Sequence, residues 1–224
     1  MNFIKVVILV FMKDIKDELR RKENILSSLF FALLSLVLFH FSVDMTSIDL
    51  SKEGAGLMWL IIIFAGTIFI QNIFRKEEEN GVFLALLLAP VDRAAIYLAK
   101  FLVCFVFLAI LEVFLFVLSF FFFGAAVFDS PLQLTVVALA VNIGFSALGT
   151  LISSLLMNQK GSSILYPLLL YPLLFPLFAA AATLTQLSIK SSLAFSDPWL
   201  RLIILFDMIF LGTSSMLFES VVED

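Results

Sequence analysis

Six long apolar stretches, separated by short charged or turn-forming segments, dominate the sequence. They run over residues 25–43, 54–73, 101–123, 132–157, 164–184 and 200–218. A helix of about 20 apolar residues crosses the ~30 Å core of a bilayer, whereas strands of a membrane barrel are about half as long and alternate in polarity. The pattern therefore predicts an all-α integral membrane protein with six transmembrane helices, forming a single membrane domain over residues 1–224.

The composition supports this class. Of the residues, 62% are hydrophobic and 14% are charged, against about 45–50% and about 25% in soluble domains. A chain this apolar cannot cover itself with polar side chains in water, whereas a bilayer hides apolar surface. The one cysteine lies in an apolar run, so no disulfide framework is expected. The first 20 residues show no small-residue cleavage site, so no removable signal peptide is expected.

Lysine and arginine are distributed unevenly among the connecting segments. Eleven of the fourteen lie before the first stretch, between the second and third, or between the fourth and fifth. The other three are Lys52, Lys190 and Arg201. Because cytoplasmic segments of membrane proteins are enriched in Lys and Arg, both termini are expected to be cytoplasmic.

The segment before the first stretch, residues 1–22, has an amphipathic pattern. Five apolar residues are spaced three or four apart and share one helical face: Ile4, Ile8, Phe11, Ile15 and Leu19. This pattern predicts an interfacial helix in the headgroup layer, serving as a plain membrane anchor or in gating or docking. The run VVILVFM is apolar all round, so part of this helix is expected to be more deeply buried.

Charged residues cluster between the second and third stretches, around the apolar octet VFLALLLA. The octet is too short to cross a bilayer and predicts a short helix that lies on a surface. Residues 74–100, here named the elbow, contain the candidate contacts for a partner of complementary charge: Arg75, Lys76, Glu77, Glu78, Glu79, Gly81, Pro90, Asp92, Arg93 and Lys100. Gly81 permits a turn before the short helix, and Pro90 ends that helix. Asp92 can then cap the next helix, and Lys100 can extend its ammonium to the membrane interface. An ordinary solvated loop is the alternative.

The elbow and several other motifs resemble one group of membrane proteins. The motifs are WL…FAG at Trp59–Gly66, RKEEENG at Arg75–Gly81, LLLAPVDR…YLAK at Leu86–Lys100, GTL at Gly149–Leu151 and LYPLLLYPLLFP at Leu165–Pro176. Together they resemble type-2 ABC exporter permeases, and are most similar to the haem exporter protein B (CcmB) family of cytochrome c maturation. Tyr166 and Tyr171 depart from that family's pattern, in which leucine is expected before the prolines.

The resemblance implies a non-catalytic permease subunit of the bacterial inner membrane. Its elbow would hold a coupling helix against a separate cytoplasmic ABC ATPase subunit, which binds the ATP. The other implied partners are a haem-handling membrane protein, a small membrane subunit and a periplasmic haem chaperone. The sequence agrees in having no GxxxxGK[ST] phosphate loop and no Cys/His cluster, so haem is expected on a partner. Membrane lipid surrounds such a subunit, and no nucleic-acid partner is expected.

Three titratable residues inside or near the stretches are candidates for function. Glu112 lies in the middle of the third stretch, where a carboxylate is costly, and is expected to be protonated or paired with a neighbouring helix. Asp207 is a second acid, in the sixth stretch. His40, the one histidine, lies at the end of the first stretch; it is a candidate haem ligand or an ordinary interfacial residue. For both acids the alternative role is a buried hydrogen bond that fixes helix register.

Two further patterns concern helix packing. Asn142, Ser146, Thr150 and Ser154 recur every four residues along the fourth stretch, which predicts a helix-packing seam in preference to a polar pathway. Pro167, Pro172 and Pro176 lie within ten residues of the fifth stretch and predict a kinked or broken helix.

Two other functions fit the same features. A type-2 ABC permease for a lipid, drug or polysaccharide would share the elbow. A non-ABC membrane scaffold or secondary transporter would lack the ATPase partner; inverted repeats, which favour such a transporter, are not evident between the two halves of the sequence.

Overall fold

The fold is helical throughout the part of the chain that a computed structural model describes, namely residues 3–42, 50–79, 91–123, 130–156, 159, 161–189 and 197–221. These residues form seven helices: α1 (Phe3–Arg21), α2 (Glu23–Ser42), α3 (Leu50–Glu79), α4 (Arg93–Phe123), α5 (Pro131–Leu156), α6 (Ser162–Ile189) and α7 (Pro198–Val221). The prediction of an all-α fold is therefore confirmed for the described residues.

Five of the described helices are long and apolar enough to cross a bilayer. They cover Glu23–Ser42, Gly54–Phe74, Arg93–Phe122, Pro131–Leu156 and Ser162–Ser188, and coincide with five of the six predicted spans. The sixth predicted span lies in α7, whose 24 residues include Arg201 and Asp207. This helix packs on α5 and α6, but its role as a sixth span stays a prediction.

Helix α5 lies at the centre of the bundle and packs against α3, α4, α6 and α7. Small residues permit these contacts. A methyl group added to Gly149 of α5 would lie 2.9 Å from Ile70 Cδ1 of α3, and one added to Gly66 of α3 would lie 2.6 Å from Leu108 Cδ2 of α4. Both glycines therefore lie where side chains of neighbouring helices approach so closely that an added methyl would force them to shift.

Helix α6 runs without interruption from Ser162 to Ile189, with Pro167, Pro172 and Pro176 inside it. The expectation of a broken helix is therefore wrong, since the bundle holds the segment helical despite the lost backbone hydrogen bonds. A kink at the prolines stays a prediction.

Two buried side chains tie α6 to its neighbours. The hydroxyl of Tyr166 lies 3.4 Å from the carbonyl oxygen of Gly149 in α5, to which it donates. The indole of Trp59 in α3 donates to Thr185 Oγ1 at 2.9 Å. These bonds link α6 to α5 and α3 in the interior, where polar groups need partners.

The corner between α1 and α2 depends on an unusual backbone conformation. Lys22 has a φ of 52°, in the left-handed region. Its amide donates to the carbonyl of Glu18 at 2.9 Å, which closes the last turn of α1. Helix α2 then begins at the next residue, so the two helices meet without a loop.

Candidate functional site

Helix α1 packs along the first turns of α4, the helix that follows the elbow. Val6, Val7 and Val10 of α1 form a small apolar cluster with Ala95 and Ala99 of α4. The alanines let the two helices approach closely. The expectation that part of VVILVFM is buried is confirmed at these three valines, which are all under one-tenth exposed.

A buried ion pair reinforces this contact. Lys100 Nζ of α4 donates to Asp14 Oδ2 of α1 at 2.6 Å, and the two side chains are 1% and 5% exposed. Lys13 Nζ reaches the other oxygen, Asp14 Oδ1, at 2.9 Å from a more exposed position. The position of Lys100 two turns into α4 directs its ammonium toward α1, which covers it. Its expected roles at the membrane interface and in ATPase coupling stay predictions.

A second polar contact lies at the corner of α1 and α2. Asn24 Nδ2 donates to both carboxylate oxygens of Glu18, at 2.9 and 3.2 Å. Asp14, Glu18 and Asn24 are all buried. Sequence analysis missed Asp14, Glu18 and Asn24, although Asp14 and Glu18 lie four residues apart on the face of α1 that also carries Val7 and Val10.

The structure describes the two ends of the elbow. Arg75, Lys76, Glu77, Glu78 and Glu79 form the last turns of α3, although their side chains are not among the described ones. Gly81 and Pro90 lie outside the described residues. Asp92 Oδ1 accepts a hydrogen bond from the Ala94 amide at 2.9 Å, so Asp92 caps α4 as its position in the sequence predicts. Arg93 is the first residue of α4 and is partly exposed.

Polar side chains of α4 and α5 meet deep in the bundle. Asn142 Nδ2 donates to Glu112 Oε2 at 3.3 Å and to the Phe105 carbonyl at 3.1 Å, while Ser146 Oγ donates to Asn142 Oδ1 at 2.9 Å. Glu112 is 3% exposed, and Asn142 and Ser146 are fully buried. Glu112 is thus paired with the neighbouring helix α5, which is one of the two states expected for it. The same contact brings Glu112 together with Asn142 and Ser146 of the predicted polar row.

The remaining candidates lie apart from this network. Thr150 is fully buried one turn beyond Ser146. Asp207 of α7 packs against Gly144 of α5, where its Oδ1 lies 2.5 Å from the position of an added Cβ. No hydrogen-bond partner for that oxygen is found among the described residues.

His40 lies near the C-terminal end of α2, among aromatic rings. Its ring centroid is 5.1 Å from that of Phe122 in α4 and 5.6 Å from that of Phe41. Within the described part of the chain, no group of three or more His, Cys, Asp and Glu residues could hold a metal ion. A role for His40 as a haem ligand stays a prediction.

Comparison with known proteins places this arrangement in one family. The family model described as "CcmB protein" matches residues 5–218. "Heme exporter protein B" of Pseudomonas aeruginosa is 26% identical over 171 residues, covering 76% of each chain. The protein of the same name from Escherichia coli K12 is 25% identical over 91 residues, which span 41% of each chain. The family match extends over nearly the whole chain, from α1 to α7, and we conclude that the chain belongs to the CcmB family.

Proposed function

We propose that the chain is the membrane permease subunit of an ABC-type complex in cytochrome c maturation. The observation that carries the proposal is the family match over residues 5–218, together with the "Heme exporter protein B" names of its relatives. The chain lies in the bacterial inner membrane with α7 as a sixth span. Both termini are in the cytoplasm, in accord with the distribution of Lys and Arg.

The partners follow from the same proposal. A separate cytoplasmic ATPase binds ATP and contacts a coupling helix within the elbow. A haem-handling membrane protein and a small membrane subunit complete the complex, which exports haem or releases the haem-loaded periplasmic chaperone. Haem is the cargo of the complex, and the chain itself performs no catalysis.

The packing of α4 supports a mechanism for coupling. This helix begins directly after the elbow and contacts α1, α2, α3, α5 and α7. Closure of the ATPase would push on Arg75, Glu77, Glu78 and Glu79 at the end of α3 and on the start of α4. Because packed helices move as rigid elements with discrete arrangements, the push would reach the Glu112–Asn142 contact inside the membrane.

The first experiment is a mild-detergent pull-down of the tagged chain from native membranes. Proteins that co-purify are identified by mass spectrometry, and haem is read from the absorption spectrum. We expect an ATPase together with a haem-containing membrane partner. An ATPase without haem would instead favour a type-2 exporter for a lipid, drug or polysaccharide. Recovery of the tagged chain without any ATPase would favour a scaffold or secondary transporter and would overturn the proposal.

A charge reversal tests the elbow itself. The variant Glu78→Lys/Glu79→Lys is expected to lose the ATPase in the pull-down while inserting into the membrane normally, since it removes the acidic charges that a complementary surface would bind. The matched control is Glu223→Lys/Asp224→Lys, which changes net charge equally at the C-terminus. Normal ATPase recovery with the elbow variant, or equal loss with both variants, would contradict the coupling role.

A further inference from the structure

The face of α1 that points away from the bundle carries two parallel rows of side chains. The first row is apolar, and its members are each more than half exposed: Ile4, Ile8, Met12 and Leu19. Their spacings of four and seven residues keep them on one side of the helix. The buried face of α1 is a different one, formed by Val6, Val7, Val10, Asp14 and Glu18.

The second row is basic and lies beside the first. Lys5, Lys16 and Arg20 are all exposed, and their spacings of eleven and four residues place them along one side of the helix, about 80° from the apolar row. A shallow groove lies at the C-terminal half of α1. It is lined by Met12 and Leu19 of the apolar row, by Lys16 and Arg20 of the basic row, and by Lys13, Ile15 and Asp17. One carboxylate among three cations leaves this groove positively charged.

The position of α1 along α4 indicates its depth in the membrane. The apolar segment Arg93–Phe122 has 30 residues and would be about 45 Å long, which exceeds the ~30 Å hydrocarbon core by several turns. Helix α1 packs on Ala95 and Ala99, in the first two turns of that segment. Because Arg93 begins this helix, its first turns are expected at headgroup level, on the side that the distribution of Lys and Arg assigns to the cytoplasm.

The orientation of both rows is held by the bundle. The Asp14–Lys100 ion pair and the Glu18–Asn24 hydrogen bonds prevent α1 from rolling about its axis. The apolar row can therefore enter the acyl region while the basic row stays among the headgroups, an arrangement typical of interfacial helices that bind anionic lipid.

We propose that the outer face of α1 is a binding surface for anionic phospholipid of the cytoplasmic leaflet. Ile4, Ile8, Met12 and Leu19 contact the acyl chains, and Lys5, Lys16 and Arg20 bind the phosphate groups. This surface is independent of which cargo the complex handles.

The test measures lipid preference of the purified full chain by native mass spectrometry. The protein is incubated with an equimolar mixture of phosphatidylglycerol and phosphatidylcholine, and the ratio of the two retained lipids is determined. Each cation near an anionic surface contributes about fivefold to binding. The variant Lys5→Gln/Lys16→Gln/Arg20→Gln is therefore expected to lower the ratio of phosphatidylglycerol to phosphatidylcholine at least ~10-fold.

Two further variants separate the α1 surface from general charge. Lys52→Gln/Lys190→Gln/Arg201→Gln removes the same number of charges from the opposite side and is expected to keep the preference. Lys5→Arg/Lys16→Arg/Arg20→Lys keeps every charge on α1 and is expected to keep it too. An unchanged ratio in the α1 glutamine variant, or an equal fall in the opposite-side variant, would overturn the proposal. Loss of a co-purifying ATPase from the α1 glutamine variant with its lipid preference intact would instead make this face a protein-binding surface.

Discussion

The buried pair of Asp14 and Lys100 allows a sharp test of how α1 is held on the bundle. The change is Lys100→Met, which keeps the length and apolar stem of the side chain but removes the ammonium. Asp14 then loses its 2.6 Å contact and keeps Lys13 near Oδ1. The reverse change, Asp14→Leu, removes the carboxylate from an ammonium that is 1% exposed.

The size of the effect follows from burial and distance. Opposite charges 2.6 Å apart attract by about 6 kcal/mol at an effective dielectric constant of about 20. Desolvation of both ions offsets most of this attraction, so the intact pair contributes little net stability. When one partner is removed, the other still carries its desolvation cost. The free energy of unfolding of each single variant is therefore expected to fall by about 3 kcal/mol.

The double variant Asp14→Leu/Lys100→Met is the critical control. With both charges replaced by apolar groups, stability is expected to return to within about 1 kcal/mol of the parent chain. The free energy of unfolding is measured in mixed micelles of dodecyl maltoside and dodecyl sulfate. The fluorescence of Trp59, which is buried between α3 and α6, reports on the bundle, and tryptic cleavage within α1 reports on detachment of that helix.

Two results would refute this reasoning. Single variants that unfold like the parent, with no faster cleavage of α1, would mean that the pair is solvated and that α1 is held by the valines alone. A double variant as unstable as the worse single variant would mean that the loss comes from disrupted packing. In either case, the ion pair would not fix the orientation of α1.

Three further substitutions test other contacts by the same unfolding measurement. Gly66→Ala is expected to cost about 1–3 kcal/mol, because the new methyl would lie 2.6 Å from Leu108; Gly56→Ala, with no atom within 4 Å, is the control and should cost nothing. Lys22→Gly is expected to stabilise the chain by about 1 kcal/mol, since it relieves the left-handed backbone. Asn142→Leu is expected to destabilise it by about 1–2 kcal/mol through loss of its interhelical hydrogen bonds. Unchanged stability in Gly66→Ala, Lys22→Gly or Asn142→Leu would contradict the feature assigned to that residue.

Helix positions could be predicted from the sequence because membrane burial depends on length and apolarity. Five of the predicted spans coincide with described helices, and Asp92 lies at the predicted cap of α4. Both features are local, since a span and a cap need only the residues that form them. The sixth predicted span, in α7, stays a prediction.

The contacts between helices could not be predicted, because a single sequence does not specify which faces meet. Lys100 lies where a lysine normally reaches the interface, yet α1 covers it and supplies Asp14 from 86 positions earlier. The apolar stripe of Ile4, Ile8 and Leu19 was recognised, but the face that packs on α4 is the one with Val6, Val7 and Val10. In a segment that is apolar all round, periodicity cannot distinguish the side that meets protein from the side that meets lipid.

The polar row on α5 shows how the two kinds of information combine. The four-residue spacing of Asn142 and Ser146 predicted a shared face, and the structure shows what that face does. The Asn142 amide donates twice and accepts once, so its hydrogen-bonding groups are occupied by α4 and by Ser146. A water-filled pathway would need such groups to remain available to solvent, so at Asn142 and Ser146 this arrangement favours a packing seam. Since α4 carries both Lys100 and Glu112, twelve residues or about 18 Å apart, one rigid helix connects the α1 contact at the elbow with the buried contact to α5.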